Sequence, residues 1–164
     1  MLLTRYLNTP VAERGTMFTR KSRDTETAFE VTKSEAEWKA QLPADRYAVL
    51  RRAGTEAPWS GDLLHVDGEG VFRCAGCGAE LFDSDSKFES GTGWPSFDRA
   101  KSDGTIVEHT DRTFGMARTE IVCARCGGHL GHVFPDGPTD TGLRYCVNSL
   151  SLTYEQDPAA TASS

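Results

Sequence analysis

Hydrophobic positions along the chain change period once. Over residues 32–54 they recur at helical spacing, Ala44 with Ala48 and Tyr47 with Leu50, whereas beyond Pro58-Trp59-Ser60-Gly61 they fall in short runs broken by Gly, Asp and Pro. Thr32-Lys33-Ser34-Glu35 matches a capping box, in which hydroxyl and carboxylate each satisfy an orphan amide, and predicts a helix from there to about Gln41. Pro43 suits the first turn of a second helix, which Gly54 is expected to stop. The two helices together read as a flap over a larger body. In that body, Val71-Phe72-Arg73, Glu80-Leu81-Phe82, Thr105-Ile106-Val107, residues 113–122 and residues 143–154 read as strands, with Asp67-Gly68 and Asp103-Gly104 as turns. Many short strands joined by Gly-rich turns predict a mainly β fold with antiparallel pairing, not a parallel sheet with crossover helices. Residues 1–31 show neither period and are expected to form a poorly ordered extension. Residues 32–154 are expected to form a single domain, and residues 155–164, dominated by Ala, Thr, Ser and Pro, a flexible tail.

Composition narrows the class without naming a function. In 164 residues, 38% hydrophobic and 26% charged, there is room for one substantial core. No apolar run reaches the roughly 18 residues of a membrane span, so no membrane partner is expected. The formal charge of −6 disfavours a nucleic-acid partner, whose phosphates call for clustered Lys and Arg. Charge is uneven, however: residues 1–23 carry Arg5, Arg14, Arg20, Lys21 and Arg23 against Glu13 alone. A basic start without the apolar segment of a secretory signal leaves two expectations, a cytoplasmic protein with an unstructured tail or a mitochondrial or plastid targeting segment in residues 1–31.

Four of the five cysteines form two Cys-x-x-Cys-Gly units, Cys74 and Cys77 with Gly78, and Cys123 and Cys126 with Gly127. Two residues between thiolates let both sulfurs of a tight turn face one ion, and the glycine suits the positive φ such turns need. Two such turns supply the four ligands of one structural Zn2+ per chain, closed to substrate. The 45 intervening residues require at least a hairpin between the halves. The competing reading, a redox pair, belongs beside a βαβ pattern that this sequence lacks. Metal-ligand spacing also points to a reducing compartment over a disulfide scaffold.

Cys146 is left over. Read as a strand, Arg144-Tyr145-Cys146-Val147-Asn148 puts Arg144, Cys146 and Asn148 on one face. A lone cysteine is commonly a small buried hydrophobe, but imidazole and guanidinium neighbours favour a thiolate nucleophile. His129 and His132 are available, although three residues apart on a straight strand they would face opposite ways; Gly127, Gly128 and Gly131 could bend the segment and reunite them.

Gly93-Trp94-Pro95-Ser96-Phe97, the two Cys-x-x-Cys-Gly units, Gly128-His129-Leu130-Gly131-His132-Val133-Phe134 and Arg144-Tyr145-Cys146-Val147-Asn148-Ser149 occur in the order found in the B-type methionine-R-sulfoxide reductases, and the chain resembles that family from about Thr32 to Tyr154. The resemblance implies two antiparallel β-sheets with a few short peripheral helices and a structural zinc. It implies that Cys146 attacks the sulfoxide sulfur, that His129, His132, Arg144 and Asn148 surround it, and that Trp94 and Phe134 bind the substrate. In the commonest form of the family a cysteine resolves the resulting sulfenic acid; here that position is Thr92. The implied partners are oxidised proteins carrying methionine-R-sulfoxide and an external reductant such as thioredoxin, glutaredoxin or another thiol, with the enzyme acting as a monomer. The alternatives are a non-catalytic zinc module that binds a protein, in which Trp94, His129 and Cys146 merely pack, and, less favoured by charge, a nucleic-acid-binding knuckle.

Overall fold

The computed structural model describes residues 28–159. Two helices come first, α1 (Glu35–Gln41) and α2 (Ala44–Arg52), followed by nine strands: β1 (Gly70–Cys74), β2 (Glu80–Asp83), β3 (Lys87–Phe88), β4 (Ser96–Phe97), β5 (Ile106–Asp111), β6 (Arg118–Cys123), β7 (His129–Phe134), β8 (Arg144–Val147) and β9 (Leu152–Gln156). They form a three-stranded sheet in the order β2-β1-β9 and a six-stranded sheet in the order β3-β4-β8-β7-β6-β5. All pairs are antiparallel, as the short alternating runs predict. No helix among the described residues is long and apolar enough to cross a membrane. The expectations for residues 1–27 and 160–164 lie outside the described residues.

The helix boundaries differ from the sequence reading in their caps. Ser34, not Thr32, caps α1: its hydroxyl accepts from Glu37 N at 3.2 Å while Glu37 Oε2 accepts from Ser34 N at 2.7 Å. Both Thr32 and Ser34 have a glutamate three residues on. Glu35 is engaged elsewhere, accepting from the Tyr47 hydroxyl at 2.5 Å and pairing with Arg52 at 2.7 Å, and that leaves the box to Glu37. α2 ends one residue before the expected glycine, on Ala53 in the left-handed conformation, with Gly54 N donating to Ala48 O. As a flap, the pair covers the cysteine end of the molecule: Gln41 donates to Gly76 O at 2.8 Å and Arg51 to Cys126 O at 3.0 Å.

The core lies between the sheets. Phe72 of β1 and Phe82 of β2 meet Phe97 of β4, with ring centroids 4.9 and 4.1 Å apart, the second pair stacked, and all three rings are fully buried. Strand alternation then sorts the six-stranded sheet. Phe97, Tyr145, Val133 and Thr119 are register partners across it, and Val147, Gly131 and Ile121 form the next row on the same inward face. The intervening row, on the opposite face, reads Ser96, Cys146, His132, Glu120 and His109. The core thus occupies one face of this sheet and the polar, sulfur-bearing chemistry the other.

Two predicted strands divide. Residues 113–122 give a strand only from Arg118, because Asp111 Oδ1 accepts from both Thr113 N and Thr113 Oγ1, at 2.9 and 2.8 Å, and turns the hairpin early. Residues 143–154 split into β8 and β9, which belong to different sheets. At the break, side chains capture backbone: Asn148 Nδ2 donates to Leu130 O, Ser151 Oγ to His129 O, and Ser149 Oγ accepts from Leu63 N. β3 and β4, two residues each, are too short for the alternation signal.

Candidate active site and metal centre

Both Cys-x-x-Cys units close the same turn. Gly78 N donates to Cys74 O and Gly127 N to Cys123 O, each at 2.8 Å, with Gly78 at φ 78° and Gly127 at φ 74°. The turns bring Sγ of Cys74 to 3.7 Å from that of Cys126 and Sγ of Cys77 to 3.6 Å from that of Cys123, with all four sulfurs within 4.8 Å of one another. A tetrahedral ion with Zn–S bonds of about 2.3 Å places its sulfurs roughly 3.8 Å apart, so the donor set fits zinc in both element and spacing. Gly128 N points at Cys126 Sγ at 3.4 Å, a donor suited to a thiolate. The four cysteines are therefore placed to hold a metal ion, and none of them lines the pocket described next.

That pocket, of 120 Å³, lies on the polar face of the six-stranded sheet and is lined by Thr55, Trp94, Arg118, Gly131, His132, Phe134, Cys146, Val147 and Asn148. His132 reaches it as the direct ladder partner of Cys146, and a bulge brings His129 round to the same side. Along the β6–β7 ladder, Glu120 pairs with His132 and Ile121 with Gly131, but Val122 pairs with His129, so Leu130 is the extra residue. Glu120 and Val122 share a face, and so do their partners. The bulge brings the two imidazoles to one side, their centroids 5.7 Å apart. They differ in setting. His132 lines the pocket, whereas His129 is buried behind it, its Nδ1 3.7 Å from Glu120 Oε2 and without a hydrogen-bond partner.

Gly131 makes the close approach of β7 to β8 feasible. A Cβ there would stand 2.0 Å from the Cys146 carbonyl oxygen, a backbone atom fixed by the ladder. Gly131→Ala is expected to cost about 3 kcal/mol or more and to lower Tm by roughly 10 °C, read by thermal unfolding; an unchanged Tm would refute this packing.

Cys146 is partly buried, and burial pushes its thiol up; the Arg144 guanidinium and the Thr92 side chain act the other way, while Asp136 and Glu56 add to the upward push. The Arg144 cation thus offsets desolvation without overcoming it. Arg144 stands at the rim, stacked on Phe134 at 4.4 Å and held in a two-pronged pair with Asp136 at 2.8 and 3.0 Å. Asn148 contributes a wall, with its amide committed to the backbone: Oδ1 accepts from Glu56 N at 3.1 Å and Nδ2 donates to Leu130 O. Trp94 is fixed through its indole N–H, which donates to Glu56 O at 3.1 Å.

Several residues here escaped the sequence reading. Asp111 Oδ2 lies 2.9 Å from His132 Nε2 and 3.2 Å from Arg118 Nη2, and hydrogen bonds from Thr113 and His132 hold its carboxyl well below the usual range. Glu56, in the segment after α2, is buried, its carboxyl pushed up by burial, with Oε1 accepting from Leu150 N at 2.9 Å. Neither sits in a motif; only the β5–β6 register and the path of the segment after α2 bring them to the site.

A partly buried cysteine in a small pocket with an aromatic wall, an imidazole paired to a carboxylate, and a separate cluster of four cysteines placed to hold a metal ion make a thiol-bearing site beside a metal-binding one. Comparison with known proteins makes the class specific. The SelR domain family matches residues 42–156. The chain is 51% identical over 129 residues to the peptide methionine sulfoxide reductase MsrB of Leptospira interrogans, covering 79% of this chain and 98% of that one. It is 54% identical over 125 residues to MsrB of Chromohalobacter salexigens (76% and 94%) and 53% identical over 127 residues to MsrB of Methanosarcina mazei (77% and 91%). Among solved structures, the Mis18 Yippee-like domain covers 54% of this chain and 96% of its own at 21% identity, with a TM-score of 0.44. The chain belongs to the SelR-domain family, the B-type methionine-R-sulfoxide reductases.

Proposed function

We propose that the protein reduces methionine-R-sulfoxide, in oxidised proteins and as the free amino acid, through Cys146. The observation that carries the mechanism is the placement of this thiol, alone among the five cysteines outside the metal cluster, in a pocket walled by Trp94 and Phe134 with His132 as its direct cross-strand neighbour. The Cys146 thiolate attacks the sulfoxide sulfur. A sulfoxide is a poor electrophile until its oxygen is protonated or firmly hydrogen-bonded, and His132, held by Asp111, is the pocket imidazole able to do this. The oxygen passes to Cys146 and one proton is taken up, so that methionine leaves and the thiolate becomes a sulfenic acid. The indole of Trp94 gives the S-methyl group a flat apolar wall opposite these donors, and a pocket divided in this way selects one sulfur epimer.

Recycling falls to an external thiol. One thiol condenses with the sulfenic acid, releasing water and forming a mixed disulfide; a second displaces Cys146 and leaves as the oxidised donor. Thioredoxin, glutaredoxin or a small thiol meets this need. A zinc thiolate would serve only at the cost of the centre that α1 and α2 rest upon.

The test is single turnover followed by multiple turnover. With one equivalent of R-sulfoxide and no reductant, mass spectrometry is expected to find Cys146 as sulfenic acid, trappable by dimedone. With dithiothreitol, consumption is expected for the R epimer and not the S epimer. A disulfide from Cys146 to a knuckle cysteine would overturn the recycling scheme, and turnover of the S epimer alone would overturn the substrate.

A further inference from the structure

Two walls of the Cys146 pocket are tied to the main chain of one residue that the reaction does not use. Glu56 O accepts from the indole Nε1–H of Trp94 at 3.1 Å, and Glu56 N donates to Asn148 Oδ1 at 3.1 Å. Thr55, the residue before it, lines the pocket as well. All of this falls on the segment between α2 and β1, which carries no helix or strand of its own. The Glu56 side chain docks that segment. It is 7% exposed, and its Oε1 accepts from Leu150 N at 2.9 Å, in the short turn Ser149–Ser151 that follows β8 and Asn148. Gly61 leaves room for the carboxyl, since a Cβ there would stand 2.4 Å from Oε2.

We propose that Glu56 is a positioning residue: its buried carboxyl, by holding Leu150 N, fixes the main chain that sets the Trp94 indole and the Asn148 wall against the substrate. The inference rests on the reading of Trp94 as the wall for the S-methyl group. The bond to Leu150 N needs an acceptor at the right reach, not a charge. That separates this role from an electrostatic one, because Glu56 is also among the anions that push the Cys146 thiol up. Glutamine keeps the acceptor and loses the charge; aspartate keeps the charge and falls one methylene short. A loosened indole weakens a contact made both in the bound substrate and in the transition state, so the loss falls on KM with little change in kcat. A protein that is merely destabilised loses active molecules instead, and shows a lower apparent kcat at unchanged KM.

The test compares variants of the metal-loaded full chain. KM for the R-sulfoxide is expected to rise about tenfold in Glu56→Ala and Glu56→Asp, with kcat within about threefold of wild type, and to stay within about twofold in Glu56→Gln. Without sulfoxide, solvent exchange of the Trp94 indole proton is followed by NMR, its signal assigned by absence from Trp94→Phe. Exchange is expected to be about fivefold faster, or more, in the alanine and aspartate variants and unchanged in the glutamine variant. This second arm keeps the two readings apart: wild-type protein inert towards the sulfoxide would refute the reaction, and indole exchange alone would then decide the tie. If Glu56→Ala does not fold, Glu56→Asp carries the comparison. Wild-type KM or wild-type indole exchange in the alanine and aspartate variants, or a Glu56→Gln protein displaced as far as they are, would overturn the proposal.

Discussion

Cys146→Ser is expected to reduce sulfoxide-dependent thiol consumption to background, a fall of at least about 10³-fold. At 1.36 kcal/mol per tenfold, that is roughly 4 kcal/mol of transition-state stabilisation, which a serine hydroxyl cannot replace because it is far less acidic than a thiol and remains protonated at neutral pH. The fold is expected to survive. Cys146 is only partly buried, its neighbours Tyr145 and Val147 carry the inward packing, and an oxygen takes less room than sulfur in the same place. Circular dichroism and thermal unfolding should therefore match wild type while activity disappears. Equal turnover by both proteins would remove Cys146 from the reaction.

Removal of the proposed zinc is expected to act in the opposite sense, taking the fold first and activity with it. A structural zinc of this type contributes roughly 10–16 kcal/mol of apparent binding energy, against a net stability of about 5–15 kcal/mol for a whole domain. Cys126→Ser, or strong chelation of the wild-type protein, is thus expected to abolish cooperative unfolding near the native Tm. The loss should begin at α1 and α2, whose Gln41 and Arg51 are hydrogen-bonded to the knuckle backbone, and where Trp38 packs against Gly76. Metal analysis of purified protein should return one zinc per chain. Well under one zinc in a protein that keeps its full Tm and four reactive thiols would refute the centre.

The fold was legible where local chemistry decides it. Glycine after each second knuckle cysteine announced the positive φ, and the period-two runs announced antiparallel strands. What stayed hidden were features set by pairing between distant segments. The bulge at Leu130, which places His129 and His132 on one face, depends on how β7 meets β6, and the glycines around it signalled only that the strand could bend. Asp111 and Glu56 reach the site through tertiary paths, and their own neighbours in sequence mark them only as a turn residue and a loop residue. The division of residues 143–154 shows the converse: its alternation placed Cys146 correctly, but the hydrogen bonds that turn the chain at Asn148 require Glu56 and Leu130, far away in sequence.

The sorting of the six-stranded sheet into an apolar face and a reactive face has a consequence for how the protein tolerates change. Along β8, stability and reactivity are assigned to alternate residues: Tyr145 and Val147 to packing, Arg144 and Cys146 to the pocket and its rim. Substitutions at Arg144 or Cys146 alter the pocket and its rim while leaving the core rings untouched, those at Tyr145 alter packing alone, and Val147, which is buried and also lines the pocket, couples the two. An insertion or deletion of one residue in β7 or β8 has no such freedom, because it exchanges the two sets at once.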